Sequence, residues 1–232
     1  TDAVGEKGYR QIDINLGCPF PMIAGKHKGA GMLLYPAQVA EVLAPIAEYP
    51  EIQFSLKMRL GWENASECMV LVELLNTLRL SRIALHARTG KQYKGHPDLE
   101  AFQGFYELCQ HPLYYNGGIE SLSDIRQILI RFPLLKGVFI GRGLLSSPLL
   151  AKEFKGNETF LPEQRMSIYF AFHEELFSAY SQVLQGETQL LVKMKTLWEY
   201  FLPETDRKLL KRIKKSTRLQ QYTESVKAIF TS

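Results

Sequence analysis

Polar or glycine-rich groups follow each of five predicted strands in the first two thirds of the sequence. Each strand is a short apolar run that precedes a helical pattern, and this alternation predicts parallel βα units. Because the carboxyl ends of parallel strands lie along one edge of a sheet, groups there converge on a common ligand site. The groups at the five strand ends are Asn15, Gly17 and Cys18; Lys57 and Arg59; His86 and Arg88; Asn116, Gly117 and Gly118; and Gly141 and Arg142.

Cys18 lies between a glycine and a proline directly after the first predicted strand. An unperturbed thiol has a pKa of about 8.5 and is mostly protonated at neutral pH, so Cys18 is suited to act as a general acid. A lowered pKa would instead make it a nucleophile. A cysteine that merely packs in the loop is the alternative. Cys68 and Cys109 fall within predicted helices, where a small buried thiol is the usual role.

The turns after the last two strands, Asn116–Gly118 and Gly141–Gly143, have the composition of phosphate-binding turns. Glycines allow backbone N–H groups to approach an anion closely, and a following helix N-terminus adds a favourable dipole. Tight turns without a ligand are the alternative, because glycine serves ordinary turns as well.

Lys57 lies inside the apolar strand SLKMRL, where a charge is costly unless it is paired or faces a ligand site. Strand alternation places Lys57 and Arg59 on the same face, so both are predicted to face the site. His86 ends another apolar strand. A hydrogen-bonded core histidine is the common role at such a position, but the neighbouring Lys57 and Arg88 favour a ligand contact.

Two patterns divide the chain. Predicted strands at 11–16, 52–60, 82–87, 113–116 and 137–141 alternate with helices as far as about residue 155. Beyond residue 158 every periodic segment is helical, and Pro162, Gly186 and Pro203 separate the segments. The sequence therefore predicts a βα domain over 1–157 and an all-α helical bundle over 158–232.

Five βα units are compatible with two α/β architectures. A doubly wound sheet of the flavodoxin type needs about five strands, so counting alone favours it. A (β/α)8 barrel needs eight strands, and it requires that the first strands are absent from this sequence. The first residues look like the end of a helix, which keeps the barrel as the second interpretation.

The composition is that of an ordinary globular protein. The 232 residues are 46% hydrophobic and 22% charged, with a net charge of +4, which excludes disordered and collagen-like classes. Three distant cysteines give neither a disulfide framework nor a metal-binding spacing. No apolar run reaches the roughly 18 residues of a membrane span. We therefore expect a cytoplasmic protein without metal or membrane association.

One segment near the C-terminus is strongly basic. Residues 207–218 contain seven lysines and arginines and no acidic residue, while Leu209, Leu210 and Ile213 form an apolar face. A solvated helix surface is the common cause of such a pattern. Contact with a nucleic-acid phosphate backbone is the functional alternative, which Lys193 and Lys195 would extend.

The strand-end motifs, taken in order, resemble those of the tRNA-dihydrouridine synthases. IDINLGCP followed by Ile23, Gly29 and Ala30 is similar to the loop that characterises this family. The resemblance continues through SLKMRLGW, LHARTGKQYKG, NGGI and GVFIGRGLL, and a Lys-x-x-Trp element, Lys195 and Trp198, follows in the helical part. It covers essentially the whole chain.

The resemblance implies an FMN-containing (β/α)8 barrel, here with about five βα units, followed by a helical tRNA-binding domain. It implies that the flavoprotein reduces a D-loop uridine of tRNA to 5,6-dihydrouridine and that NADPH recharges the flavin. Cys18 matches the catalytic general acid. Asn15, Arg59 and Arg88 lie at the same end and are candidates for contact with the flavin or the base. The positions that match FMN contacts are Lys57, His86, Asn116, Gly117, Gly118, Gly141 and Arg142.

Two departures from the family pattern accompany this resemblance. The family usually has an acidic residue at the position of Gly118, and its first three barrel strands are absent here. Sheet edges left open in this way predict self-association. The alternatives are an inactive tRNA-binding remnant without flavin and a flavin-dependent oxidoreductase of small molecules. The second of these leaves the basic segment without a role.

Overall fold

A computed structural model describes residues 7–92 and 95–231. Tyr93 and Lys94 of the third motif lie outside the described residues. Two 3-10 helices cover Gly29–Leu34 and Ala44–Ala47. The strands are β1 (Gln11–Leu16), β2 (Gln53–Gly61), β3 (Leu80–Thr89), β4 (Leu113–Asn116) and β5 (Gly137–Phe139). The α-helices are α1 (Pro21–Ala24), α2 (Pro36–Leu43), α3 (Glu67–Thr77), α4 (Leu99–Leu108), α5 (Leu122–Arg131), α6 (Arg142–Ser146), α7 (Leu150–Gly156), α8 (Pro162–Val183), α9 (Gly186–Leu197), α10 (Arg207–Lys215) and α11 (Leu219–Phe230).

The five strands form one parallel sheet in the order β1-β2-β3-β4-β5. A doubly wound sheet reverses its strand order at a switch point, whereas each strand of a βα barrel pairs with the next strand in the chain. The observed order has no reversal, so the fold is of the (β/α)8-barrel type with five βα units. The preference for a doubly wound sheet, which rested on the strand count, is wrong. Among the described residues, β1 pairs only with β2 and β5 only with β4.

The two faces of the sheet differ in polarity, as alternation along β2 illustrates. Phe54, Leu56 and Met58 are at most 3% exposed, and this face contacts α3. Burying each such side chain contributes roughly 1.5–3 kcal/mol to folding. The intervening residues Ser55 and Lys57 point to the opposite face, which carries the polar groups. Side chains on successive strands alternate in this way because the backbone is pleated.

A second core lies in the helical part of the chain. Its largest buried side chains are Trp198, Tyr222 and Phe201. At its centre Trp198 Nε1 donates a hydrogen bond of 2.9 Å to the Tyr222 hydroxyl oxygen, which lies 2.7 Å from His173 Nε2. His173 Nδ1 lies 3.0 Å from a carboxylate oxygen of Glu174. A neutral His173 with its proton on Nδ1 satisfies all three groups, because the Tyr222 hydroxyl then donates to Nε2.

Packing divides the described chain into two compact units near residue 140. The first comprises residues up to 119 with 123–140, and the second comprises 120–122 with 141–232. The sequence pattern placed the boundary at 157/158 instead. Leu149 belongs to the buried helical core, and the Ser147 hydroxyl lies 2.7 Å from that of Tyr169. Helices α6 and α7 therefore pack with the helical unit, although in the sequence they follow β5 as the helices of a βα unit would.

No single helix among the described residues is long and apolar enough to cross a membrane. Residues 21–34 and 36–47 meet the length and composition criterion when they are taken together, with a bend of 93° between them. Ala30, Leu33, Val39 and Leu43 of this pair are at most 1% exposed in the first unit.

The buried His173 predicts a pH dependence of stability. Burial lowers the pKa of His173 from its ordinary value of 6.5, with partial opposition from Glu174. The unfolded chain therefore binds a proton more readily than the folded chain, and stability is lost as the pH falls below 6.5. We expect thermal unfolding midpoints between pH 7 and pH 5 to fall less in a His173→Gln variant than in the parent. Each kcal/mol corresponds to roughly 2–4 °C. Parallel pH profiles of parent and variant would contradict the prediction.

Candidate active site at the carboxyl ends of the strands

The loop that carries Cys18 begins with a tight turn at the end of β1. The Asn15 side-chain oxygen accepts a hydrogen bond of 2.9 Å from the backbone N–H of Gly17. Asparagine favours such turns because its side chain can stand in for a backbone acceptor two residues away. Cys18 follows directly and is half-buried, and Pro21 opens the short helix α1. The turn places the thiol at the end of the strand rather than along it.

The 3-10 helix at 29–34 supports the backbone of Cys18 from the other side. The Ala30 N–H donates a hydrogen bond of 2.9 Å to the Cys18 carbonyl. Gly29 has a φ of +56°, and a Cβ there would lie 2.7 Å from the carbonyl oxygen of Cys18. Only glycine fits this backbone conformation and this approach. The sequence motif contained Gly29 and Ala30 without a role, and the structure identifies them as the support of the Cys18 loop.

Lys57 lies beside Asn15 in the register of β1 and β2. A Cβ on Gly17 would lie 3.6 Å from the Lys57 ammonium, so the lysine reaches the start of the Cys18 loop. The pKa of Lys57 is lowered, chiefly by burial and next by the nearby charge of Arg59, while Asp13 raises it. Nearby negative charge compensates the Lys57 ammonium only in part, so this position suits contact with an electron-rich or anionic ligand.

The next row of the sheet brings Arg59, His86 and Asn116 into register on β2, β3 and β4. Asn116 Nδ2 donates a hydrogen bond of 2.8 Å to the Phe139 carbonyl on β5. Gly117 has a φ of +138°, and a Cβ there would lie 3.2 Å from the His86 ring. Five predicted site residues are therefore adjacent at one edge. They are Cys18, Lys57, His86, Asn116 and Gly117.

Gly118 has a specific conformational reason to be glycine. Its φ is +60°, and a Cβ would lie 2.9 Å from Cγ of Pro97. An acidic side chain, which the resemblance implies at this position, would therefore require a shift of the turn. Gly118 also lines a cavity of about 360 Å³ together with His96, Pro97 and Asp124.

Arg88 is buried at the end of β3, where it is 7% exposed. Its Nη2 donates a hydrogen bond of 2.5 Å to the Gly95 carbonyl. Its Nε has no hydrogen-bond partner among residues 7–92 and 95–231. A buried donor without an acceptor costs free energy, so this position is suited to an acceptor on a ligand.

Gly141 and Arg142 lie in the second compact unit, at the start of the five-residue helix α6. Gly141 has a φ of −100°, and a Cβ there would meet no atom within 4 Å. The assignment of Gly141 and Arg142 to a phosphate-binding turn stays a prediction.

Trp62 directly follows β2, and its indole packs against Gly90. A Cβ on Gly90 would lie 2.1 Å from the Trp62 indole and 3.2 Å from the Ala30 side chain. Gly90 therefore allows the indole to lie next to the 3-10 helix that supports Cys18.

The other two cysteines differ from Cys18 in their surroundings. Cys68 is buried, and burial raises its pKa to about 12. Burial also raises the pKa of Cys109. Both thiols are therefore held in the protonated, unreactive form at neutral pH. Within the described residues no group of three or more His, Cys, Asp or Glu side chains is arranged to hold a metal ion.

The basic segment forms helix α10 and the turn that follows. The Asp206 carboxylate caps its N-terminus by accepting from the N–H groups of Lys208 and Leu209. Ile213 is buried, and all seven cationic residues of the segment are exposed. These residues are Arg207, Lys208, Lys211, Arg212, Lys214, Lys215 and Arg218. The apolar positions therefore anchor the helix and leave one strongly cationic face.

The Lys-x-x-Trp element has a structural explanation. Lys195 Nζ donates a hydrogen bond to the Ser216 carbonyl just after α10, and Trp198 is 2% exposed in the helical core. Lys193 instead lies over the Tyr180 ring, at 5.3 Å from its centroid. The Lys195 ammonium thus binds a backbone carbonyl at the end of α10, and its extension of the cationic face stays a prediction.

The fold is that of a βα-barrel protein, and the strand-end groups form a candidate site at the carboxyl ends of its strands. The model of the dihydrouridine synthase family matches residues 2–231, so the chain belongs to that family.

Curated relatives carry the same family name. The chain is 28% identical over 163 residues to tRNA-dihydrouridine synthase B of Vibrio vulnificus, covering 68% of this chain and 50% of the relative. It is 32% identical over 145 residues to a probable tRNA-dihydrouridine synthase of Rhizobium leguminosarum bv. phaseoli, covering 62% of this chain and 45% of the relative. The chain thus spans about half the length of these relatives. Among solved structures, morphinone reductase matches with a TM-score of 0.46 and 13% identity over 70% of this chain and 48% of its own.

Lys195 supplies a test of the structural explanation. A Lys195→Met variant retains most of the stem but loses the hydrogen bond to Ser216. Because the donor is charged, we expect the free energy of unfolding to fall by about 1–2 kcal/mol. Denaturant unfolding of Lys195→Met and of the matched Lys193→Met variant measures the difference. An equal loss in the two variants would contradict the capping role.

Proposed function

We propose that the protein reduces a D-loop uridine of tRNA to 5,6-dihydrouridine, with FMN as its bound cofactor and NADPH as the reductant. The observation that carries this proposal is the convergence of Cys18, Lys57, His86 and Asn116–Gly117 at one edge of the sheet in a member of the dihydrouridine synthase family. The names of the curated relatives support tRNA as the substrate.

The donors at this edge fit an electron-rich cofactor that bears a phosphate. Lys57 is a half-buried cation with a lowered pKa, and Arg88 has a buried Nε without an acceptor among the described residues. Gly117 and Gly118 have φ values of +138° and +60°, which favour glycine. We assign FMN contacts to these glycines and to Lys57, His86 and Asn116. Gly141 and Arg142 complete the assignment as a second phosphate turn.

Reduced FMN, held by the residues assigned above, would provide the hydride that the C6 carbon of the uracil needs. The second hydrogen is a proton at C5, and we assign its donation to the thiol of Cys18. The C5–C6 double bond is thereby reduced, and Cys18 is left as a thiolate that regains a proton from water. Its half-buried loop position is compatible with both roles, because a partly exposed thiol can exchange its proton with water. The uracil must leave its stack in the tRNA to reach the thiol.

The cationic face of α10 is proposed to contact the tRNA backbone. Its lysines and arginines are exposed and no acidic residue interrupts them between 207 and 218. RNA of this kind is recognised largely through its shape and phosphates, which a cationic helix surface can contact without reading the sequence.

Cys18→Ala tests the assigned acid. We expect the rate of dihydrouridine formation in unmodified tRNA with NADPH to fall on the order of 100-fold or more, because general acids contribute at least that much. The matched variant Cys109→Ala should retain the parent rate. Dihydrouridine is measured by mass spectrometry of tRNA digests.

The visible absorbance of the same samples separates the possible failures. A bound-flavin spectrum in parent and variant, with equal activity in both, would reject Cys18 as the acid. A parent without flavin that binds tRNA would favour the tRNA-binding remnant. A flavin-bound parent that does not modify tRNA would favour a small-molecule oxidoreductase.

Charge reversal tests the RNA contact. We expect a variant with Lys211→Glu and Lys214→Glu to bind tRNA at least about 10-fold more weakly, with a shallower salt dependence, because fewer counterions are released. The control carries Lys155→Glu and Lys227→Glu, which make the same change in net charge at exposed positions of the helical unit. Filter binding at several salt concentrations measures both. Equal losses in the two variants would reject a specific contact at α10.

A further inference from the structure

Arg59 connects the ends of three neighbouring strands through two hydrogen bonds to backbone carbonyls. Its Nε donates to the Gly17 carbonyl at 2.9 Å, and its Nη1 donates to the Thr89 carbonyl at 2.9 Å. Gly17 directly precedes Cys18 on the loop after β1, and Thr89 ends β3. A planar guanidinium can hold two acceptors at once in fixed directions, which an ammonium cannot do.

The sheet is irregular at the position where Arg59 makes this connection. Arg59 is in register with His86, but Gly61 is in register with Thr89, so β3 contains one extra residue here. A bulge of this kind interrupts the ladder of backbone hydrogen bonds and leaves groups that need other partners. The guanidinium supplies such a partner to Thr89 and extends the same support to Gly17.

The loop is held from three directions. Arg59 binds the Gly17 carbonyl, the Asn15 side chain accepts from the Gly17 N–H, and the Ala30 N–H donates to the Cys18 carbonyl. Both backbone groups of Gly17 are thus bonded to side chains of the sheet. Gly29 permits the third contact, because any side chain at its left-handed position would collide with Cys18.

We propose that Arg59 is a positioning residue for Cys18, and that it fixes the loop 17–19 against the strand ends so that the thiol is held over the site. The effect of Arg59 on catalysis rests on the proposed function, in which Cys18 is the acid. The hold on the loop itself can be measured without any reaction. Gly29 acts on the same loop from the opposite side and provides an independent way to release it.

The direct test is the rate at which iodoacetamide alkylates each cysteine of the 232-residue chain, followed by mass spectrometry of the separated peptides. We expect Cys18 to react about five-fold faster or more in Arg59→Met, because a loop that has lost its charged hydrogen bonds opens more often. We expect the same in Gly29→Ala, because the added Cβ collides with the Cys18 carbonyl and displaces the loop. Arg59→Lys retains the charge and one donor group, and should give a smaller increase. Arg79→Lys is the control, since Arg79 also donates to a backbone carbonyl, that of Pro50, but away from this loop.

The buried Cys68 distinguishes loop release from general unfolding in the same samples. Faster labelling of Cys18 with unchanged labelling of Cys68 supports the proposal. Equal acceleration of both thiols would overturn it, because Arg59 would then stabilise the fold as a whole. An unchanged rate at Cys18 in Arg59→Met would also overturn it.

Steady-state kinetics add the catalytic consequence. For Arg59→Lys we expect kcat for tRNA reduction to fall at least about 10-fold, while KM for tRNA and the flavin content stay within about two-fold of the parent, as for loss of an interaction that matters only in the transition state. A rise in KM with unchanged kcat would instead indicate that Arg59 contacts the substrate and would overturn the positioning role. If Cys18→Ala retains full activity, the proposed function of Cys18 fails, but the alkylation result still decides whether Arg59 holds the loop.

Discussion

The parallel pairing of β2 with β1 and β3 sets the relative positions of the groups at the ends of the first three strands. It places Asn15 beside Lys57 and Arg59 beside His86. A shift of one residue along β2 would turn Lys57 and Arg59 toward the helices and bring Met58 and Leu60 to the polar face. The four buried apolar residues of β2 prevent this, because the shift would expose all of them. Burial of the hydrophobic face of β2 therefore fixes the register of the strand. The register in turn fixes where the polar side chains of the candidate site lie.

Close backbone approaches that only glycine permits also shape the loop that carries Cys18, beside the side-chain contacts of Asn15 and Arg59. Gly29 and Gly31 both lie against other parts of the loop, and a Cβ on Gly31 would lie 2.2 Å from the Ala24 carbonyl oxygen. Close approaches of this kind require glycine and a small neighbour. They explain why the Gly29–Ala30 pair follows Cys18 although it lies well beyond the reach of a local turn along the chain.

The sequence predicted the strands, the chemical types at their ends and the helical second half, because alternation and apolar runs are local properties. The strand order was not predictable from the count of units, since order depends on pairing between distant segments. The predicted boundary at 157/158 differs from the division of packing near residue 140, which groups α6 and α7 with the helical unit. A βα unit looks the same in sequence whether its helix covers the sheet or another core. The hydrogen bond of Lys195 to Ser216 was not predictable for a related reason: a lysine in a basic neighbourhood gives no indication in sequence that its ammonium binds a backbone carbonyl. Arg59 was identified as a site residue, but its carbonyl partners arise from an irregular register that no periodicity reveals.

The two tryptophans of the chain are distributed one to each compact unit. Trp62 lies against Gly90 beside the support of the Cys18 loop, whereas Trp198 is hydrogen-bonded to Tyr222 in the helical core. The tryptophan fluorescence of the chain is therefore the sum of one signal from each unit, and substitution of either tryptophan separates the two signals. With Trp198 replaced by phenylalanine, emission follows the edge of the candidate site, and with Trp62 replaced it follows the helical core. The molecule thus carries its own pair of optical probes, with which the order of unfolding of its two units can be resolved without any attached label.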